Sequence, residues 1–228
     1  MRKTLLAAAL AASSLFLSGQ AMGAPVTFIA ADNAVSSLGQ MVNSSAAAAN
    51  FLAVAGSLNV VDFESALPAN LTITGGTTTN NSGCGALCGF NTTPAGANFR
   101  SVLGGSVSFS FTNPVDAFGF FVNGLQTNLV PQQTIVYVDG SSVTQIINMP
   151  SAINGGGAFI GFVDFGQQIS SVTFNATNDI LGFDDLRFGR SATDPNNPRS
   201  VPEPASLVFL GVGLVGLAAT RRRKAANR

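Results

Sequence analysis

Ser106-Val107-Ser108-Phe109-Ser110-Phe111 decides the fold class, because polar and apolar residues alternate along it without interruption. A period of two puts every second side chain on one face, which is the signature of a strand with one face buried and one in water. Similar short apolar or alternating runs lie at Leu58–Glu64, Ala117–Val122, Thr134–Val138, Val143–Ile147, Ala158–Val163, Ser170–Asn175 and Leu181–Phe188. Asp139-Gly140 between two of them signals a tight hairpin. Asn113-Pro114 and Asn154-Gly155-Gly156-Gly157 read as loops, and Thr77-Thr78-Thr79-Asn80-Asn81 as a polar loop. One stretch breaks the period. Val35 to Ala55 is Ala-rich, with Asn43-Ser44-Ser45 as cap candidates and Gly56 past its end, and predicts a helix over 45–55. About eight to ten short strands, one early helix and no βα alternation predict an all-β fold, an antiparallel β-sandwich or jelly roll.

The composition agrees. Only 10% of the 228 residues are charged, yet 46% are apolar, so the chain can bury a core and is not disordered. The net charge of zero hides a split. Residues 24–200 carry ten acids and four bases, a balance of −6. No basic patch remains there to neutralise phosphates, which excludes nucleic acid as a partner class.

The bases outside that span mark the two ends. Arg2 and Lys3 precede an apolar run from Leu5 to Leu17, and Ala21 and Gly23 occupy the −3 and −1 positions of a cut before Ala24. Residues 1–23 therefore read as a secretory signal peptide, removed by signal peptidase between Gly23 and Ala24. At the other end Pro202-Glu203-Pro204 precedes an uncharged run over 205–220, followed by Arg221, Arg222, Arg223 and Lys224. Sixteen residues at ~1.5 Å each cover about 24 Å, and snorkelling Arg side chains make up the rest of a ~30 Å hydrocarbon core. The run reads as a transmembrane helix with its Arg cluster in the cytoplasm and the domain outside. The organisation predicted is a signal peptide at 1–23, an ectodomain at 24–190, a polar linker at 191–201 and a C-terminal signal at 202–228.

That tail resembles the PEP-CTERM sorting signal of Gram-negative bacteria, in the order of its Pro-Glu-Pro motif, apolar helix and Arg cluster. The resemblance implies an exosortase as partner, a membrane-embedded transpeptidase-like protease acting near Pro202, Glu203 and Pro204. It also implies an exopolysaccharide-producing host. The protein would be anchored in the inner membrane before sorting and then reach the cell surface or extracellular matrix. Val61-Asp62-Phe63-Glu64, Gly89-Phe90-Asn91-Thr92-Thr93, Pro114 to Phe121 and Gly182-Phe183-Asp184-Asp185-Leu186-Arg187-Phe188 are similar to β-sandwich ectodomains of such proteins. The first and last also resemble carbohydrate-binding jelly rolls, in which a Glu after the first strand and an Asp in the last ligate a structural calcium.

The residues themselves exclude much chemistry. There is no His, and no Lys between Lys3 and Lys224, so a Ser–His hydrolase and a His-ligated zinc site are excluded. A paired-carboxylate glycosidase has acids to draw on, but the chain has no Trp and Tyr137 is its one Tyr, a poor lining for a sugar cleft. The reading is a non-enzyme: an exported surface or exopolysaccharide-matrix protein. The alternative is a carbohydrate-binding module with a structural calcium at Glu64 and Asp184. Asp184 shares strand parity with Leu186 and Phe188, and a carboxylate on a core-facing position must be paired or bind a cation. The competing reading makes Asp184 and Asp185 strand-end residues or partners of Arg187 or Arg100. Beyond calcium no cofactor is implied.

Cys84 and Cys88 lack other soft ligands and cannot complete a tetrahedral metal site. Outside the cytoplasm they read as a disulfide clamping a Gly-rich loop, with free thiols or a redox role as the alternatives. Non-reducing peptide mapping of exported protein should find the two linked, and quantitative alkylation without reductant would contradict this. Cys84→Ser should cost little stability, because so short a closed loop removes little chain entropy.

Overall fold

A computed structural model describes residues 25–104, 106–126, 131–147, 155–175 and 178–191. Among them the chain forms β1 (Val26–Asp32), α1 (Val42–Ala55), β2 (Asn59–Val61), β3 (Leu71–Thr74), β4 (Thr77–Thr79), β5 (Phe99–Leu103), β6 (Ser106–Val115) and β7 (Ala117–Leu125). β8 (Gln132–Tyr137), β9 (Ser142–Ile146), β10 (Gly156–Val163), β11 (Ile169–Asn175) and β12 (Ile180–Gly189) follow. The strands make two antiparallel sheets. The larger runs β1-β10-β7-β12-β5-β4, with β2 also on β12, and the smaller runs β3-β6-β11-β8-β9. This is the antiparallel sandwich that the alternation predicts. The Asp139-Gly140 turn joins β8 to β9, with Asp139 accepting from the Ser141 amide at 2.9 Å.

Between the sheets lies a core of phenylalanines. Phe120 meets Phe183 at 5.5 Å between ring centres, Phe183 meets Phe174 at 5.2 Å, and Phe109 meets Phe120 at 5.6 Å. Such pairs add about 0.5–1.5 kcal/mol each beyond the area they bury. Phe is suited to this because its ring has no polar tip needing a partner.

The two sheets differ in what covers them. The outer side of the smaller sheet faces water, so β6 keeps its alternation. The outer side of the larger sheet is covered by α1, which packs on β1, β10 and β7. Buried on both faces, β7 and β10 lose the alternation and read as continuous apolar runs. The helix seats Phe51 over Gly119 and Gly161, which pair across β7 and β10. A Cβ on Gly161 would stand 2.9 Å from the Phe51 ring and 2.7 Å from Phe159.

Several boundaries differ from the sequence reading, each for a local reason. The helix begins at Val42 rather than Ser45, because Asp32 at the end of β1 supplies its cap. The Asp32 carboxylate accepts from the amides of Asn43 (3.0 Å) and Ser44 (2.9 Å) and from the Ser44 hydroxyl (2.7 Å). Burial works against that charge, but these donors outweigh it and hold the carboxyl below its usual range. Asn113-Pro114 is not a loop. β6 runs through it where its pairing with β11 shifts register, so the missing proline amide is not needed. Thr77-Thr78-Thr79 forms β4 by pairing with β5, and β1, β3 and β5 add strands that the alternation did not mark.

Phe51→Ala should cost about 3–5 kcal/mol, the usual range for a fully buried ring, and Gly161→Ala should also destabilise by forcing α1 off the sheet. Urea unfolding followed by circular dichroism measures both. Loss of less than ~1 kcal/mol in either would contradict helix docking on a glycine floor.

Candidate functional site

β12 carries the site. At Asp185, a non-glycine residue with φ of 49°, the strand bulges. Asp184 pairs with Phe121, but the next partnered residue is Arg187, opposite Gly119. The extra residue reverses the alternation. Leu181 and Phe183 face the inter-sheet core before the bulge, and Leu186 and Phe188 face it after. Asp184 therefore does not share a face with Leu186 and Phe188, as parity alone predicts. It points to the outer side of the larger sheet, where it is fully buried. The bulge is also where β12 changes neighbour, from β5 at residues 180–183 to β2 at 186–188.

The segment from Phe90 to Asn98 lies over this gap. Asp184 Oδ2 accepts from the Thr92 amide (2.6 Å), the Thr93 amide (3.0 Å) and the Thr92 hydroxyl (3.1 Å), and Oδ1 from the Asp185 amide (2.8 Å). Glu64, just after β2, grips the other limb. Its Oε1 accepts from the Ala97 and Asn98 amides, both at 2.6 Å, and its Oε2 from Asn98 Nδ2 at 2.6 Å. Asn91 Nδ2 closes the loop on the Asn98 carbonyl at 2.8 Å. Buried Asn123 pairs with Phe90 as a strand would, giving Nδ2 to its carbonyl and taking its amide, both at 2.9 Å. Gly96 permits the closure, since a Cβ there would stand 2.8 Å from Glu64 Oε1 and 2.7 Å from Asn91 Nδ2.

Glu64 and Asp184 thus hold one loop. Calcium needs six to eight oxygen ligands, but these carboxylates face N–H donors whose hydrogens would repel a cation. Among the described residues no group of three or more Asp, Glu, His or Cys side chains is placed to hold a metal. The residues present do not fit the structural calcium. Asp185 instead pairs with Arg187 at 2.7 Å, the competing reading for that residue, while Arg100 donates to the Gly75 carbonyl at 2.9 and 2.7 Å. Burial without an opposing cation raises the Asp184 carboxyl to about 6, although its N–H donors pull the other way.

Beside this loop Cys84 is joined to Cys88, with Cα atoms 5.7 Å apart across a single helical turn, Gly85–Cys88. Leu87 between them is exposed. At the opposite end of the sandwich is a second acid group that the sequence reading passed over. Tyr137 donates to Asp164 at 2.7 Å, the Asp164 amide to the Asp116 carbonyl at 2.8 Å, and the Ser191 amide to the Asp116 carboxylate. Burial first, and the nearby Asp116 charge second, push Asp164 above the usual carboxylate range against the Tyr137 bond. Tyr137 is buried and offers no sugar platform. The large exposed apolar side chains among the described residues are all Val, Leu or Ile.

Pro202, Glu203, Pro204, Arg221, Arg222 and Arg223, expected to direct sorting, the predicted helix over 205–220 and the predicted Gly23–Ala24 cleavage site lie outside the described residues. Among the described residues no helix is long and apolar enough to cross a membrane.

Residues 200–224 match the PEP-CTERM protein-sorting motif. That motif implies an exported protein recognised by an exosortase and sorted from the membrane to the cell surface of a Gram-negative bacterium. No curated protein matches the chain. Among solved structures, a variant family 29 carbohydrate-binding module is similar at 14% identity, over 61% of this chain and 99% of that one, with a TM-score of 0.36. A family 29 module complexed with mannohexaose is 15% identical over 59% of this chain and 93% of that one, with a TM-score of 0.36. The enzymatically active domain of a bacteriophage CBA120 tailspike protein is 16% identical over 53% of this chain and 19% of that one, with a TM-score of 0.31.

A group whose folded pKa is raised stabilises most below its unfolded value and loses that contribution as pH rises through the folded value. For Asp184 the window runs from its ordinary 3.8 to about 6. Stability should therefore fall across it as pH rises, by at most about 1.4 kcal/mol per unit. Asp164 and Asp179, also raised by burial, slope the same way. The readout is the difference between wild type and Asp184→Asn in urea unfolding at pH 4, 5, 6 and 7. Parallel pH profiles would contradict the assignment. The melting temperature should not move between chelator and ~5 mM calcium, a level above the range of typical extracellular sites.

Proposed function

We propose that the chain is a non-catalytic surface or exopolysaccharide-matrix protein whose ectodomain, residues 24–190, is delivered by its exosortase-directed tail. The observation that carries the reading is the ordered C-terminal motif at 200–224. In this reading signal peptidase cuts between Gly23 and Ala24. Residues 205–220 hold the protein in the inner membrane through the 191–201 linker until the exosortase acts near Pro202, Glu203 and Pro204.

The fold supports this arrangement. β1 starts at Val26 opposite Val163, and β12 ends at Gly189 opposite Ala117, itself the partner of Val163. Both ends of the domain thus leave from the same end of the sandwich. Arg190 and Ser191, the first residues of the exit, are held on Asp116, with Arg190 Nε 3.7 Å from its carboxylate. A domain tethered there directs the Cys84–Cys88 loop away from the membrane. The absence of His from the chain, and of Lys from the exported part, leaves few groups for acid–base or nucleophilic work near neutral pH. A second reading, a carbohydrate-binding module, is favoured by the open face of the smaller sheet.

Replacing Pro202, Glu203 and Pro204 together by alanine should leave the tail attached and the protein in the inner membrane. Intact mass and membrane fractionation report the result. Unchanged mass and unchanged surface delivery in that variant would count against exosortase processing.

A further inference from the structure

Two adjacent rows on the outward side of the smaller sheet are built almost wholly of hydroxyl groups, and the row beside them reads Ser106, Asn175, Gln132 and Ile146. The registers of β3, β6, β11, β8 and β9 align Thr74, Ser108, Thr173, Thr134 and Thr144 in one row across all five strands. Strands are about 4.8 Å apart, so the row is about 19 Å long. The next row, two residues along each strand, reads Thr72, Ser110, Ser171, Val136 and Ser142. Nine of these ten side chains carry a hydroxyl and none is ionisable. Ser108 Oγ lies 2.7 Å from Thr173 Oγ1, and Thr134 Oγ1 lies 3.1 Å from Thr144 Oγ1. Each such pair consumes one donor and one acceptor lone pair, leaving one hydroxyl hydrogen and three lone pairs for an outside partner.

We propose that this face binds uncharged, hydroxyl-rich polysaccharide, the polymer lying along the Thr74–Thr144 row. The proposal rests on the surface-or-matrix reading above and names what the domain would hold there. Charge selects the class. Residues 24–200 carry ten acids against four bases, and none of the acids lies within the five strands of this sheet. The surrounding field repels polyanions, and the face itself offers nothing to a cation. A second protein copy is disfavoured because hydroxyl rows pressed together bury little apolar area, the main source of protein association. The position of the face agrees, since α1 and the Phe90–Asn98 loop cover the outer side of the larger sheet.

Energetics set the mode of binding. Exchanging water for a sugar hydroxyl gains little per bond, because one hydrogen bond replaces another, and the two hydroxyl rows have no aromatic ring for stacking. Single sugars should therefore bind too weakly to measure. Retention should require a long polymer that engages many hydroxyls, on one molecule or on several.

The test is affinity electrophoresis of full-length protein in mild detergent, through gels containing a neutral β-glucan, a neutral mannan or the polyanion alginate. Wild type should be retarded by at least one neutral polymer and not by alginate. The double variant Thr134→Val, Thr173→Val keeps the branched side-chain shape and deletes the central hydroxyls. It should lose at least threefold in retardation while keeping the wild-type circular dichroism spectrum. No retardation by either neutral polymer would overturn the proposal. So would equal retardation of the variant, retardation by alginate alone, or a wild type that sediments as a dimer while the variant does not. Intact mass and surface delivery of the same variant in cells separate the two readings, because they report sorting and not the face.

Discussion

The structure depends on satisfying one buried carboxylate, that of Asp184. An ionised group with no exposure must find donors or lose its charge. Here the donors come from the backbone of a loop that has no regular structure of its own. By accepting the Thr92 and Thr93 amides, Asp184 fixes the Phe90–Asn98 loop over the place where β12 exchanges β5 for β2. The bulge at Asp185 is the geometric side of the same arrangement. It turns Asp184 away from the inter-sheet core while restoring Leu186 and Phe188 to it. Glu64 then completes the hold from the end of β2, so three separate stretches of chain meet on two acids.

The consequence is an asymmetric sandwich. One sheet is covered on its outside by α1, docked through Phe51 on Gly119 and Gly161, and by the clamped loop. The other is open and carries two adjacent rows of hydroxyls. The outer side of the smaller sheet is left open, while the end with Asp116 and Asp164 receives the start of β1 and the end of β12.

Much of this was legible in the sequence, for identifiable reasons. Ser106–Phe111 read correctly because its sheet has one wet face, so burial writes a period of two into the residues. Ala117–Val122 and Ala158–Val163 were readable as strands but not as doubly covered ones, since a continuous apolar run does not say what lies on each side. β4 carries no local mark, because Thr77-Thr78-Thr79 becomes a strand only through pairing with β5. The helix start was misplaced by three residues because its cap is Asp32, eleven positions before Asn43 and on another element. The resemblance pairs Glu64 and Asp184 on a cation, whereas here each accepts from the backbone of the Phe90–Asn98 loop, Asp184 at Thr92 and Thr93 and Glu64 at Ala97 and Asn98. Parity fails at Asp184 because nothing in Asp184-Asp185-Leu186 announces a residue with positive φ. The tail was legible for a different reason. Membrane physics and a protease both read linear order, so no fold stands between the residues and the inference.

Amide hydrogen exchange at Thr92 and Thr93, followed by NMR in the full-length protein, tests the central claim most directly. Loop amides held by a buried carboxylate should exchange only through opening of the sandwich, with protection matching that of β7 and β12. Exchange at the rate of the exposed Asp139–Ser141 turn would contradict the account, because it would mean that Asp184 does not hold the loop.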